Sequence, residues 1–187
     1  TAAFEYANFP HEVFDRRLLA IGKFPFSQVF SSSIAKKWAG LSTSILGKST
    51  RLVILDLDNT IWSGVIGEDG LAGIKIGGDY PGNVFKELQE FFLELHNSGI
   101  TLAICSKNDE DLALQAFDEL PEMVLKRKHF ASWRINWRPK WQNIQEICDE
   151  LNLGLQSALF VDDNPVEREK AQLNLPDLKV ADMPADP

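Results

Sequence analysis

Apolar residues along this chain gather in short runs that stop at polar ones. Arg51-Leu-Val-Ile-Leu-Asp56 is an unbroken apolar stretch ending in a carboxylate, the pattern of a strand covered on both faces. Ile100-Thr-Leu-Ala-Ile-Cys105 and Ser157-Ala-Leu-Phe-Val-Asp162 repeat it, and a short stretch near 178–181 supplies a last strand. Between them the spacing turns helical. Asn83–Ser98 places Val84, Leu88, Phe91, Phe92 and Leu95 on one face and closes at Gly99, and further helices are predicted over about 109–119, 139–152 and 165–174. Strands alternating with helices at this spacing imply an α/β fold, a Rossmann-like doubly wound parallel sheet with helices on both faces.

Two stretches depart from that alternation. The Gly-rich segment 64–78 carries short apolar pairs around Asp69-Gly70 and predicts a short β-hairpin flap. The first 50 residues predict two helices, over His11–Ile21 and Ile34–Leu46, separated by Phe24-Pro-Phe-Ser. They read as an N-terminal helical arm or linker, residues 1–50, ahead of a catalytic domain over 51–187. Neither the insert at 61–82 nor the stretch between Lys107 and Pro139 is long enough for a large cap domain.

Composition narrows the function classes. A formal net charge of −8 and a pI near 4.9 argue against nucleic acid and membrane surfaces as partners, since both are themselves anionic. No apolar run approaches the roughly 20 residues of a membrane helix, and no secretory leader opens the sequence. Cys105 and Cys148 are too few for a disulfide framework, which fits reduced thiols in a cytoplasmic protein.

The chemistry sits where the strands stop. The first strand delivers Asp56 and Asp58 on one side of the chain, the second delivers Ser106, and the third delivers Asp162 and Asp163; Lys140 opens the helix before that third strand. Each alone has a plain structural reading, as an Asp or Ser capping a helix or a Lys in solvent. Together, in this order and each at a strand's carboxyl end, they mark a ligand site rather than a chance set of caps and solvated charges.

This constellation resembles the haloacid dehalogenase (HAD) superfamily of phosphotransferases. The resemblance implies Asp56 as nucleophile, Asp58 as general acid/base, Ser106 as a phosphate ligand and Lys140 as the stabilising cation. It further implies Asp162 with Asp163 as an acidic metal-binding pair, so that Mg²⁺ is held by Asp56 and by Asp162 or Asp163, with the Asp58 backbone carbonyl as a further ligand. Thr60, Lys107 and Asn108 stand where the chain turns into helix and are expected around the phosphate. A carboxylate attacking a phosphoryl group meets charge repulsion, so a metal and a lysine are what the chemistry needs.

Longer strings resemble one branch of that superfamily, the FkbH family: the run from Leu55 to Gly70, Cys105-Ser-Lys-Asn-Asp109, Arg134-Ile-Asn-Trp137, Phe160-Val-Asp-Asp-Asn-Pro-Val-Glu-Arg168 and Met183-Pro-Ala-Asp-Pro187. This resemblance implies removal of phosphate from 1,3-bisphosphoglycerate. The three-carbon unit, glyceryl or lactyl in type, would pass to the phosphopantetheine arm of an acyl carrier protein in polyketide synthesis. Such domains also occur at the front of large synthases, with the carrier in the same polypeptide, and the absence of an opening Met fits an excised loading domain. The resemblance suggests Cys105 as the thiol that holds the acyl group. Strand alternation equally allows Cys105 to face the covering helices as a small apolar residue. Cys148 reads as core.

Residues 126–140 hold Lys126, Arg127, Lys128, His129, Arg134, Arg138 and Lys140 with no acidic residue. They read either as a patch for phosphate or an acidic carrier, or as a solvated loop. Arg134 and Arg138 are expected on substrate phosphate or carboxylate. Two alternatives to acyl transfer remain open on the residues: a plain phosphatase acting on a small metabolite or phosphoprotein, and a docking domain without turnover.

Overall fold

Leu52, Val53, Ile54 and Leu55 form strand β1, and all four are buried because both faces of the sheet are covered. The computed structural model describes residues 49–181 together with Asp15 and Ser27. The chain divides into two units at Ser49/Thr50, and the second is the one described. The helices expected over His11–Ile21 and Ile34–Leu46, and the stretch Met183–Pro187, lie outside the described residues.

After β1 come α1 (Ile66–Gly73), α2 (Gly82–Asn97), β2 (Thr101–Ser106), α3 (Glu110–Glu119), β3 (Phe130–Ile135), α4 (Lys140–Glu150), β4 (Ala158–Val161), α5 (Pro165–Asn174) and β5 (Lys179–Val180). The five strands are all parallel, in the order β3-β2-β1-β4-β5. The chain therefore winds outward in one direction from β1 to β3, then returns to the other side of β1 for β4 and β5. That reversal opens a crevice between the carboxyl ends of β1 and β4, the place where ligands of such sheets gather.

Alternation along the strands divides the core into two layers. Val53, Leu55, Leu102 and Ile104 pack with Phe92, Phe117, Trp62 and Ile66 on one face. Leu52, Ile54, Ala103, Cys105 and Phe160 pack with Ile144, Ile147, Cys148, Ala171 and Leu175 on the other. On the first face Trp62 and Phe130 each meet the Phe117 ring edge-on, at 5.8 and 5.4 Å between centroids.

Two elements differ from the sequence reading. The segment expected as a β-hairpin flap is instead the helical α1, two turns joined at Gly70, whose φ of 65° only glycine adopts freely. Its first N–H groups find carboxylates: Val65 N donates to Asp69 Oδ2 at 2.9 Å and Ile66 N to Asp58 Oδ1 at 3.1 Å. Those acceptors satisfy the free donors of a helix start, which a hairpin would leave open. A single antiparallel bridge, Ser63 to Lys75, closes the loop at its base. Strand β3 was not anticipated at all, because Ser132 and Arg134 interrupt its apolar character.

Gln89 of α2 ties two loops together. It is fully buried, donates Nε2 to Ile61 O at 2.7 Å, and accepts from Val124 N and Leu125 N at 3.0 Å. Replacing it by Met keeps the volume but strands those backbone groups, at an initial cost of about 1–3 kcal/mol for each buried group left unsatisfied. The Gln89→Met protein is expected to unfold at a clearly lower urea midpoint; an unchanged midpoint would show that the clamp adds no stability.

Candidate active site

Asp56 follows the last residue of β1, Ser106 ends β2, and Asp162 follows the last residue of β4. Lys140, first residue of α4, is brought over them from the helix on the second face. Its Nζ donates to Asp162 Oδ2 at 2.6 Å and stands 2.9 Å from Asp56 Oδ1. The Asp56 contact is an ion pair without hydrogen-bond alignment, so Asp56 Oδ1 is a buried oxygen with no donor. Burial works against the Lys140 charge, but the two carboxylates outweigh it and hold the ammonium above the ordinary lysine range.

Asp56, Asp162 and Asp163 bring carboxylate oxygens within 4.8 Å of one another. Three hard oxygen donors, one of them a buried oxygen lacking any donor, suit Mg²⁺. The aspartates differ in what already holds them. Asp162 Oδ2 takes Lys140 and its Oδ1 takes Asn164 N at 2.8 Å. Asp163 lines the cavity, and its carboxylate takes backbone N–H groups of Asp163 and Asn164. Burial, then the nearby Asp56 charge, push Asp162 up to about 6 against the pull of Lys140, and move Asp163 upward as well.

Asp58 lies two residues beyond Asp56 and lines the same cavity. Its carboxylate is not one of the clustered three; Trp62 Nε1 at 2.9 Å and Ile66 N at 3.1 Å donate to Oδ1, and Asn108 Nδ2 at 2.9 Å to Oδ2. Asn108, expected around phosphate, thus holds Asp58. Thr60 is likewise redirected: it is fully buried, and its Oγ1 accepts from Asp163 N at 3.2 Å, joining the loops after β1 and β4.

The cavity is open on one side, with a volume of about 310 Å³, and Ser106, Lys107 and Lys140 line it with Asp56, Asp58 and Asp163. Thr60, Asn108 and Asp162 stand behind its lining, and Arg134, Arg138 and Cys105 do not reach it. Arg134 pairs with Glu146 and Glu150 of α4, and Arg138 with Glu146. These pairs pull both guanidiniums onto the flank of α4, away from substrate. Cys105 is fully buried in the α4 layer, its Sγ donating to Lys140 O at 3.6 Å. Burial pushes its thiol far above the usual cysteine range, Asp56 and Asp162 add to this, and Lys140 opposes it without prevailing. A nucleophilic cysteine needs exposure and a stabilised thiolate, and Cys105 has neither. The basic run is also largely engaged. Lys126 Nζ donates to Phe117 O and Leu120 O at the end of α3, and Arg127 donates to Leu114 O and pairs with Asp118.

Sequence reasoning passed over two neighbours in the Asp162-to-Arg168 string. Glu167 is buried at the cavity wall. Arg168 Nη1 donates to the carbonyls of Asp162 and Asp163, both at 2.7 Å.

No family model matches the chain, and no curated protein matches it. Solved structures do. The chain is similar to the N-terminal part of the protein BF1531 from Bacteroides fragilis, which contains a phosphatase domain and is complexed with Mg: 39% identity over 94% of this chain and 47% of that one, TM-score 0.78. It is also similar to the HAD family enzyme bt-2542 from Bacteroides thetaiotaomicron, complexed with magnesium and inorganic phosphate, at 11% identity over 73% of this chain and 96% of that one, TM-score 0.50. The fold is the HAD fold. This chain spans about half the length of the solved B. fragilis chain. Among the described residues no helix is long and apolar enough to cross a membrane.

Two measurements check the HAD-type site. Cys105 is expected to resist iodoacetamide at pH 8 in the folded protein and react only after unfolding; rapid labelling of the native chain would contradict its burial. In the metal-free protein Asp162 binds its proton more tightly folded than unfolded, between the ordinary aspartate value and about 6. Its contribution to stability therefore falls as pH rises through that window. Mg²⁺ is expected to raise the melting temperature more at pH 7 than at pH 4.5, where protonated carboxylates ligate poorly; equal shifts would count against these ligands.

Proposed function

We propose that this domain is a Mg²⁺-dependent phosphomonoester hydrolase working through an aspartyl-phosphate. The observation that carries the proposal is the buried Asp56 oxygen without a donor, placed beside Lys140 and facing a cavity that Asp58 also lines. The similarity to a phosphatase domain complexed with Mg supports it.

The chain's groups divide the reaction between them. Ser106 and the Lys107 backbone stand at the end of β2 to receive phosphate oxygens. Asp56 attacks phosphorus: a bond forms from its carboxylate oxygen and the bond to the leaving oxygen breaks. Asp58 gives that oxygen a proton. Water then attacks the aspartyl-phosphate, Asp58 takes its proton, and the bond between phosphorus and Asp56 breaks to regenerate the carboxylate. Lys140 sets its ammonium against Asp56 and Asp162 at once. When bound, Mg²⁺ supplies charge neutralisation to the phosphoryl oxygens.

A second reading extends the first, and the open side of the cavity favours it, since a phosphopantetheine arm has room to enter. In it the substrate is 1,3-bisphosphoglycerate and the three-carbon acyl unit passes to an acyl carrier protein. With Cys105 buried, the carrier thiol itself would attack the acyl carbonyl, forming the thioester and expelling the 1-phosphate, while the hydrolase chemistry removes the 3-phosphate.

Phosphate release from para-nitrophenyl phosphate with Mg²⁺ is expected for the wild-type chain, and to vanish with a chelator or in Asp56→Asn. Asp58→Asn is expected to lose roughly 10²- to 10⁴-fold in kcat, the usual share of a general acid. Full activity in Asp56→Asn would remove the aspartyl-phosphate. For the second reading, intact mass of a carrier incubated with 1,3-bisphosphoglycerate and Mg²⁺ should gain an acyl unit with wild type and Cys105→Ala alike; phosphate release with no mass gain leaves the hydrolase alone.

A further inference from the structure

We infer that Asn59 and Asn164 make the cavity selective for monophosphates whose leaving group carries an oxygen acceptor, hydroxyl or carbonyl, beside the esterified carbon, over plain alkyl esters. This deepens the hydrolase reading and rests on it. Asn59 follows Asp58 and Asn164 follows Asp163, yet neither takes part in the bond changes at phosphorus.

Both side chains line the cavity, and each amide is held by a backbone donor a few residues on. Gly64 N donates to Asn59 Oδ1 at 2.9 Å, and Val166 N donates to Asn164 Oδ1 at 3.0 Å. A backbone N–H can only donate, so in each amide the oxygen faces it and the amino group is the half left over. Among the described residues no acceptor meets Nδ2 of either asparagine. The wall therefore carries two amino groups whose orientation is fixed before any ligand arrives. Asn59 is suited to its place, a left-handed turn at a φ of 52°, and Asn164 to its own as the cap of α5.

The rest of the lining divides in two. Asp56, Asp58, Ser106, Lys140 and Asp163 serve the phosphoryl group and its cation, which leaves Asn59, Asn164, Val65 and the pair Lys107 and Glu167 to border the leaving group. That pair adds no uncompensated negative charge, because Glu167 Oε1 accepts from both Lys107 Nζ and Lys170 Nζ at 3.0 Å. Hydrogen-bond complementarity is then what this wall reads. An alkyl group strips water from the two amino groups and leaves them unpaired, whereas an oxygen acceptor takes the place of that water. A site built to hydrogen-bond a substrate rejects the analogue that lacks the partner atom for this reason. Both readings of the function admit such a leaving group.

The test compares three esters of equal charge and equal carbon number with the Mg²⁺-loaded chain: propyl phosphate, glycerol 3-phosphate and 2-oxopropyl phosphate. With two neutral hydrogen bonds at stake, KM for the second and third should lie about 10-fold below that for the first. In the double variant Asn59→Asp, Asn164→Asp each carboxylate keeps its backbone donor, and aspartate suits both the left-handed turn and the cap, but the amino groups are gone. The 2-oxopropyl ester, which can only accept, should then lose its advantage over propyl phosphate. Glycerol 3-phosphate, whose hydroxyls can donate to the new carboxylates, should keep part of its own; a purely structural role would move all three esters alike. A wild type that does not separate the oxygenated esters from propyl phosphate overturns the inference, whether or not the variant folds. So does a folded double variant in which the 2-oxopropyl ester keeps its full advantage. If para-nitrophenyl phosphate alone is turned over, the three esters are ranked as its competitive inhibitors, with the same order expected and equal inhibition overturning it. If nothing is hydrolysed, the hydrolase reading fails, and calorimetric binding of the three esters to the Mg²⁺-loaded wild type decides the inference, equal affinities overturning it.

Discussion

One buried ammonium holds this site together. The doubly wound topology brings Asp56 and Asp162 to adjacent strand ends, and two carboxylates packed that closely would repel each other and resist burial. Lys140 answers both at once, 2.6 Å from one and 2.9 Å from the other. Its place is costly by helix electrostatics, since a cation at the first residue of α4 faces the positive end of the helix dipole. The carboxylates outweigh that, and so the position of α4 over the sheet is tied to the charge of the crevice. The turn before it is held too. Asn136 N donates to Ser106 O at 3.0 Å, and Asn143 of α4 donates to Asn136 Oδ1 at 2.8 Å, so the ends of β2 and β3 and the start of α4 form one hydrogen-bonded unit.

Around that centre, each acidic residue is made different by what surrounds it. Asp162 is bound on both oxygens and behaves as scaffold, while Asp163 keeps its carboxylate toward the cavity and its backbone is gripped from both sides by Thr60 and Arg168. Asp58 is aimed by three donors from three separate segments. Partners that orient the groups nearest a metal affect its affinity nearly as much as the ligands themselves, and here they come from both loops flanking the crevice.

The legible part of this chain was its periodicity. β1, β2 and β4 announced themselves through runs buried on both faces, and the helix expected over about 165–174 is α5, which the structure starts with an Asn164 cap. The strand-end aspartates, Ser106 and Lys140 were legible for the same reason, since topology alone carries them together. What stayed hidden depended on partners remote in sequence. Nothing in Gly64–Gly78 says that Asp58 will accept the Ile66 N–H and turn a presumed hairpin into helix. Cys105 illustrates the limit most plainly: one step along a strand exchanges the cavity for the core, and the sheet's register, invisible in a single sequence, decides which. Arg134 and Arg138 had the right chemistry for phosphate, but Glu146 and Glu150, about one turn apart on α4, claimed them first.

Those captured arginines have a different consequence. Strand β3 is the outermost strand on its side of the described sheet, and an edge strand offers a row of unpaired backbone groups to any extended segment that drifts alongside. Arg134, midway along β3, is fixed to Glu146 and Glu150, Ser132 Oγ donates to the same Glu150 at 2.8 Å, and Trp133 Nε1 reaches Glu110 at 3.1 Å. The outermost described strand is thus fastened on both faces, to α4 through Ser132 and Arg134 and to α3 through Trp133. Residues that looked like substrate ligands are spent on holding the outermost described strand to its helix.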